Sequence, residues 1–401
     1  MSLRILQVCP KPPFPPVDGG CIAANNITEG LLGLGHRVKV MALSTPKHPA
    51  DTALENAEYV RRTGFETSYL DTSIKLRSAL RHFFSSRSYN VERFYSKQFD
   101  AKILACLSVE EFDVIQLESI YMTPYLPSIR GAVDTPIIYR SHNMEFEIWQ
   151  GTCGLERNPL RRLYIAHLAK RLGDYERSTA NWFDGIATIT EADKKTLRSM
   201  GCSVPIRTIP FGLNISQFTS EVQPRKTTVF HLGSMDWLPN QDGIRWFLNE
   251  VWPVVLSRHS DVQLILAGRS MPGWLNENDC PNVRVVGEVD SAFDFIAANS
   301  IMIVPLHSGG GMRIKIIEGL ALGKAIVSTT LGAAGIDYVD GRDILIADSA
   351  DLFADSVCKL LDDPKFCARL SENGLKLARE RYDNKVICAN LVDFYESVLD
   401  S

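Results

Sequence analysis

His307–Ser328 reads HSGGGMRIKIIEGLALGKAIVS and follows the apolar run IMIVPL at residues 301–306. Three consecutive glycines therefore leave a strand and open a helix that carries Arg313, Lys315 and Glu318. Glycine admits close backbone approach, and a helix N-terminus carries roughly +0.5 of an elementary charge. An anion would meet bare backbone N–H groups, a positive dipole end and two cations, with one carboxylate a turn deeper. A diphosphate next to a ribose diol satisfies all of these groups. The same letters also spell a plainer object, a glycine-rich turn ahead of an amphipathic core helix.

Strand, loop and helix alternate along the rest of the chain. In the first half the apolar runs are RILQVC (4–9), RVKVMALS (37–44), FDVIQLE (112–118), PIIYRSH (136–142) and GIATIT (185–190). In the second half they are TVFHLG (228–233), VQLILAG (262–268), VRVVG (283–287), SIMIVPL (300–306) and KAIVST (324–329). Near-continuous apolar strands separated by helices indicate parallel sheets covered on both faces. The expected fold class is α/β, with two Rossmann-like doubly wound domains facing across a cleft. Residues 1–210 and 211–383 are the expected domains, the first completed by a helix at 384–401. Ligands of such sheets sit outside the carboxyl ends of the strands. Gly19–Gly20 and Gly309–Gly311 are loops at those ends.

Composition narrows the function classes. A net charge of −4 argues against a general nucleic-acid binder. The nine cysteines form no CxxC pair, and no His, Asp or Cys spacing reads as a metal site, so no metal is expected. No apolar run reaches the roughly 18 residues of a spanning helix, and MSLRILQVC enters a strand without a signal peptide's apolar core. The reading is a cytoplasmic protein. No strand-turn-helix carries GxGxxG, which weakens a dinucleotide site.

Two stretches of the first half are basic. Residues 75–104 carry Lys75, Arg77, Arg81, Arg87, Arg93, Lys97 and Lys102, with Phe83, Phe84, Phe94 and Tyr95 interleaved. Residues 157–177 carry six basic residues against two acidic ones, on a helix with Leu160, Leu163, Tyr164, Ile165 and Leu168. Either these are solvated helix faces, or they meet anionic lipid or a charged acceptor, which would place the protein peripherally on the inner face of a membrane.

These residues together resemble retaining glycosyltransferases of the GT-B fold, the large family that includes sucrose synthase and bacterial polysaccharide and lipopolysaccharide transferases. The resemblance is carried by PFPPVDGG (13–20), RSHNMEFEIW (140–149), HLGSMDWLPNQDGIRWF (231–247), VRVVGEVD (283–290) and GGGMRIKIIEGLALGKAIVSTTLGAAGI (309–336). It implies a donor site formed by Gly20, Gly233, Ser234, Gly287, Val289, Gly309, Gly310, Gly311, Met312, Arg313, Lys315 and Glu318. Gly19, Glu118 and Asn143 would lie on the acceptor side, and His142 and Arg313 would be catalytic. The family pattern is Glu-x7-Glu; Glu318 matches the second glutamate, which binds the donor ribose, while Gly310 stands where the first should be. The loop GSMDWLPN lacks the family's phosphate-binding lysine and has Ser234 instead. Arg313 is expected to grip the diphosphate bidentately. Lys315 either joins it or forms a surface salt bridge. His142 ends a strand beside Asn143 and Glu145, where the family's histidine faces the donor sugar and the acceptor hydroxyl.

The implied activity moves a hexose-type sugar, with retention and without metal, from a UDP- or GDP-sugar to a glycan or lipid-linked acceptor. The nucleotide sugar is a substrate; no permanently bound cofactor is expected. Two other readings stand beside it: a non-catalytic nucleotide- or glycan-binding protein of the same fold, favoured by Gly310, and a nucleotide-sugar epimerase. An NAD-dependent oxidoreductase would need the missing fingerprint.

Overall fold

The computed structural model describes residues 2–73, 88–156, 158–218, 228–277 and 279–400. Lys75, Arg77, Arg81, Phe83, Phe84, Arg87 and Arg157 lie outside the described residues. The chain divides into two compact units, residues 1–212 with 384–401, and residues 213–383.

The first unit is built on seven parallel strands: β1 Arg4–Cys9, β2 Arg37–Ser44, β3 Glu66–Tyr69, β4 Val114–Glu118, β5 Ile137–Ser141, β6 Gly185–Thr188 and β7 Ile206–Thr208. Their order is β3-β2-β1-β4-β5-β6-β7, so the winding reverses between β1 and β4. Successive side chains point to opposite faces, and both faces are buried, which is why the strands read as unbroken apolar runs. Leu6, Val8 and Leu117 pack on one face with Phe99, Ile103 and Leu172. Ile5, Val40 and Ile138 pack on the other with Ile27, Leu391 and Phe394. The last two belong to the helix Asn384–Leu399, which lies against the helix Gly19–Gly33. There a Cβ on Gly30 would come within 2.2 Å of Cys388 Sγ.

The second unit has six parallel strands: β8 Thr228–Leu232, β9 Gln263–Ala267, β10 Val283–Gly287, β11 Ile301–Val304, β12 Ala325–Ser328 and β13 Leu345–Ile346. The order β10-β9-β8-β11-β12-β13 reverses between β8 and β11. Val229, Leu264, Ile303 and Val327 form a core with Phe247, Trp252 and Phe353.

Several local expectations change. Gly19 and Gly20 are the first two residues of a helix, capped by Asp18, and not a loop. The helix after the triple glycine runs Ile314–Ala321, so Arg313 is its extended N-cap residue and not a helical one. Between the helices Leu238–Trp246 and Trp252–Arg258 lies a π-helical turn at Phe247–Val251, with Pro253 just behind it. No helix among the described residues is long and apolar enough to cross a membrane.

Candidate functional site

In the second unit the two strands at the winding reversal end at Gly233 and at the triple glycine. Gly309 and Gly311 have φ of +101° and +81°, a region that side chains rarely adopt, whereas Gly310 has φ outside it. A Cβ on Gly309 would strike the Trp237 ring at 2.5 Å; one on Gly310 would meet nothing within 4 Å. The missing first glutamate therefore does not reflect crowding.

Arg313 lies over the Trp237 ring, with its guanidinium carbon 4.6 Å from the ring centroid, and its Nη1 donates to Gly310 O at 2.5 Å. Its Nε and Nη2 are buried without a partner among the described residues. Those two atoms are the edge of the guanidinium that grips a phosphate bidentately. Burial pushes Arg313 down to about 10, which leaves it charged at neutral pH. Lys315 makes no salt bridge among the described residues. Its Nζ donates to Leu232 O at 3.1 Å and Asn240 Oδ1 at 3.2 Å. Burial, followed by the neighbouring Arg313 charge, pushes it down to about 7 against the pull of Glu318. Glu318 sits in the second turn of its helix, so it is no capping carboxylate. Burial raises it above the ordinary carboxylate range, and no hydrogen bond to it is made among the described residues.

The other donor candidates spread out. Gly233 packs against this cluster, since a Cβ there would come within 2.9 Å of Lys315 Nζ and His231 Nε2. Ser234 spends its hydroxyl on Asp236 at 2.5 Å, and its carbonyl accepts from Asn240 at 2.7 Å. Met312 is half-buried beside the loop. Gly287 and Val289 lie at the end of β10, the sheet edge, with β9 and β8 between them and β11. Trp237, Asn240 and His231 escaped sequence reasoning as site residues. Only the last is fully buried, with Nδ1 3.0 Å from Ile303 O and Nε2 unpartnered.

In the first unit a cavity of about 360 Å³ opens at the ends of β1, β4 and β5. Gly20, Glu118, His142, Asn143 and Glu145 line it, with Lys11, His48 and Arg93. Gly20, expected at the donor, lies in this lining; Gly19 precedes it in the same helix but is not part of the lining. Glu118 was expected to face an acceptor. It lines the cavity with its side chain fully buried, and its Oε2 lies 2.5 Å from His142 Nε2, so it backs the histidine. Burial pushes its carboxyl up, but His142, Arg140 and Gln7 outweigh that and hold it below the usual range. Glu145 accepts from Tyr121 Oη at 2.8 Å, and Glu176 caps the helix Glu145–Leu155, burial lifting the latter's carboxyl to about 8.

Asp18, Cys21 and His48 place three possible ligand atoms within 4.8 Å of one another. However, Lys11 Nζ already lies 2.6 Å from both Asp18 oxygens, and burial lifts the Cys21 thiol to about 11. A cation would have to displace an ammonium and ionise that thiol.

Two family models match the chain: Glycosyltransferase Family 4 over residues 17–217, and Glycosyl transferases group 1 over residues 226–363. An uncharacterized 44.6 kDa protein in the cps region of Klebsiella pneumoniae is 22% identical, covering 97% of this chain and 98% of that one. Sucrose-phosphate synthase of Thermosynechococcus elongatus superposes with a TM-score of 0.71 at 15% identity, over 99% of both chains. Anabaena HepE in complex with UDP gives 0.66 at 13% identity, over 98% of this chain and 100% of that one.

Proposed function

The chain belongs to the family 4, group 1 glycosyltransferases, and from that premise we propose that it transfers a hexose, with retention and without metal, from UDP-hexose to a glycan or lipid-linked acceptor in cell-surface polysaccharide synthesis. The observation that carries this reading is the unpartnered Nε–Nη2 edge of Arg313, buried between the triple glycine and Trp237. Desolvated donors without an acceptor are costly, and an anion repays that cost. The diphosphate takes the glycine amides, Arg313 and Lys315; the ribose diol takes the carboxylate of Glu318 beside them. HepE, of the same fold, binds UDP, which favours uridine over guanosine. The Klebsiella relative lies in a cps region, which favours a polysaccharide acceptor.

Retention needs no protein nucleophile if the leaving diphosphate takes the acceptor hydroxyl's proton on the same face of the sugar. Arg313 and Lys315 then stabilise the charge growing on that diphosphate. His142 turns Nε2 to Glu118, leaving Nδ1 to accept a hydrogen bond from a sugar hydroxyl.

A thermal-shift panel of UDP, GDP, ADP and NAD tests the donor. A nucleotide at about 100 times its Kd adds roughly 2.7 kcal/mol of stability. UDP should raise Tm, GDP and NAD should not, and the anomer of the product from UDP-glucose reports retention. Stabilisation by NAD alone would remove the transferase assignment.

Leu160, Leu163 and Tyr164 are 79%, 71% and 38% exposed, interleaved with exposed Arg161 and Arg162 on the helix Pro159–Thr179. This is the face we assign to an anionic membrane. Vesicles with phosphatidylglycerol should co-sediment the protein at low salt, and Leu160→Ser with Leu163→Ser should weaken that about tenfold or more. Equal sedimentation of the double variant would leave the face simply solvated.

A further inference from the structure

Glu118 is fully buried, and its basic partners among the described residues are His142 Nε2 at 2.5 Å and Arg140 Nε at 3.9 Å, both on Oε2. His142 and Arg140 sustain its charge, and a pair of amides anchors its other oxygen. Gln7 Nε2 and Gln116 Nε2 both donate to Glu118 Oε1, at 2.7 and 2.5 Å. A carboxylate only accepts, so each amide must turn its NH2 inward and its carbonyl outward. Each outward carbonyl then meets a hydroxyl. Thr28 Oγ1 donates to Gln7 Oε1 at 2.6 Å, and Tyr395 Oη donates to Gln116 Oε1. All five residues are fully buried. Oε1 is thereby saturated, and Oε2 is left for His142.

We propose that Thr28 and Tyr395 are positioning residues for His142. Their hydroxyls hold the two amides, the amides anchor and orient Glu118 through Oε1, and Glu118 fixes the ring. The chain of contacts runs from the helix Gly19–Gly33 and from the helix Asn384–Leu399 to the cavity, although Tyr395 stands 279 residues from Gln116. The inference rests on the reading that His142 serves the site, but its test does not. The other charged or titratable groups around the pair are Arg140 from β5, Cys9 from β1, Glu145 from the helix beyond His142, and Lys11, His48 and Arg93 across the same cavity. Burial keeps the Cys9 thiol and the Tyr395 phenol protonated, so neither competes for the proton.

Removing a hydroxyl leaves its amide carbonyl unpaired and loosens the amide, more for Gln116 than for Gln7, whose Nε2 also donates to Ala24 O at 3.2 Å. Glu118 then loses an N–H donor, its negative potential at His142 deepens, and the pair takes up a proton at higher pH. The experiment follows the His142 ring signals by NMR against pH, assigned by their loss in His142→Gln, in the ligand-free protein. Tyr395→Phe and Thr28→Val each keep the packing volume and should raise the midpoint by about one pH unit. Val392→Ala, on the same last helix but outside the hydrogen-bond chain, should lower Tm and leave the midpoint unchanged. Should one hydroxyl variant fail to fold, the other carries the test. An unmoved midpoint in a folded hydroxyl variant, or an equal shift in Val392→Ala, overturns the proposal. Because no donor or acceptor is present, the result is independent of whether sugar transfer is the right activity.

Discussion

Replacing Glu318 by alanine should lower kcat/KM for the UDP-sugar by two to three orders of magnitude, about 3–4 kcal/mol, with the folded state left intact. Two hydroxyl donors of a ribose would bond to one buried carboxylate, and bonds to a charged acceptor contribute about 1.5–3 kcal/mol each. No hydrogen bond to Glu318 is made among the described residues, and burial already raises its carboxyl. Its removal therefore deletes no native hydrogen bond and relieves a desolvated group, so Tm should stay level or rise. That separates the binding role from a structural one. A variant that unfolds several degrees earlier yet binds UDP as tightly as before would refute the ribose assignment.

Affinity for a UDP-sugar should fall about tenfold for each pH unit between 7 and 9, and level off below about 6. The origin is Lys315, whose ammonium burial pushes down to about 7, assisted by the Arg313 charge. The diphosphate binds the charged form. Below 7 that form is already present; above 7 binding must take up a proton, and the cost grows by about 1.4 kcal/mol per unit. The diphosphate diester of a UDP-sugar loses no proton in this range, so the slope reports the protein. Calorimetry at pH 8 in two buffers of different ionisation heat should show close to one proton taken up. Lys315→Met should abolish the slope and weaken binding at pH 6 by roughly 10- to 100-fold. A flat affinity from pH 6 to 9 in the wild type would place Lys315 outside the phosphate site.

Much of the fold was legible because both faces of each sheet are buried. The long strands are apolar runs, and the glycine loop announces the winding reversal at β11. The edge strands β3, β7 and β13 were not legible: two to four residues carry no period, and only their neighbours define them. Arg313 was read as helical because its letters continue the amphipathic pattern; its backbone turns extended to carry the guanidinium over Trp237. Trp237 and Asn240 stood in a segment already singled out, but their importance comes from a neighbouring strand end, which linear order hides. The Glu118–His142 pair is similar. Its supports come from residues 7, 28, 116 and 395, on four different elements. One trace was present: Gln7 and Gln116 interrupt otherwise apolar strands, and an amide in a buried strand needs a polar partner.

The helix that completes the first sheet is encoded after the whole second unit. A ribosome adding about 5–20 residues per second needs roughly 10–40 s to pass from residue 212 to the end of that helix. Through that interval Ile27, Ile138 and the neighbouring apolar side chains have no cover from Leu391 and Phe394. The half of the protein that is born first is thus the half that finishes last, and the nascent chain presents a greasy surface to the cell's holding factors while its younger half matures.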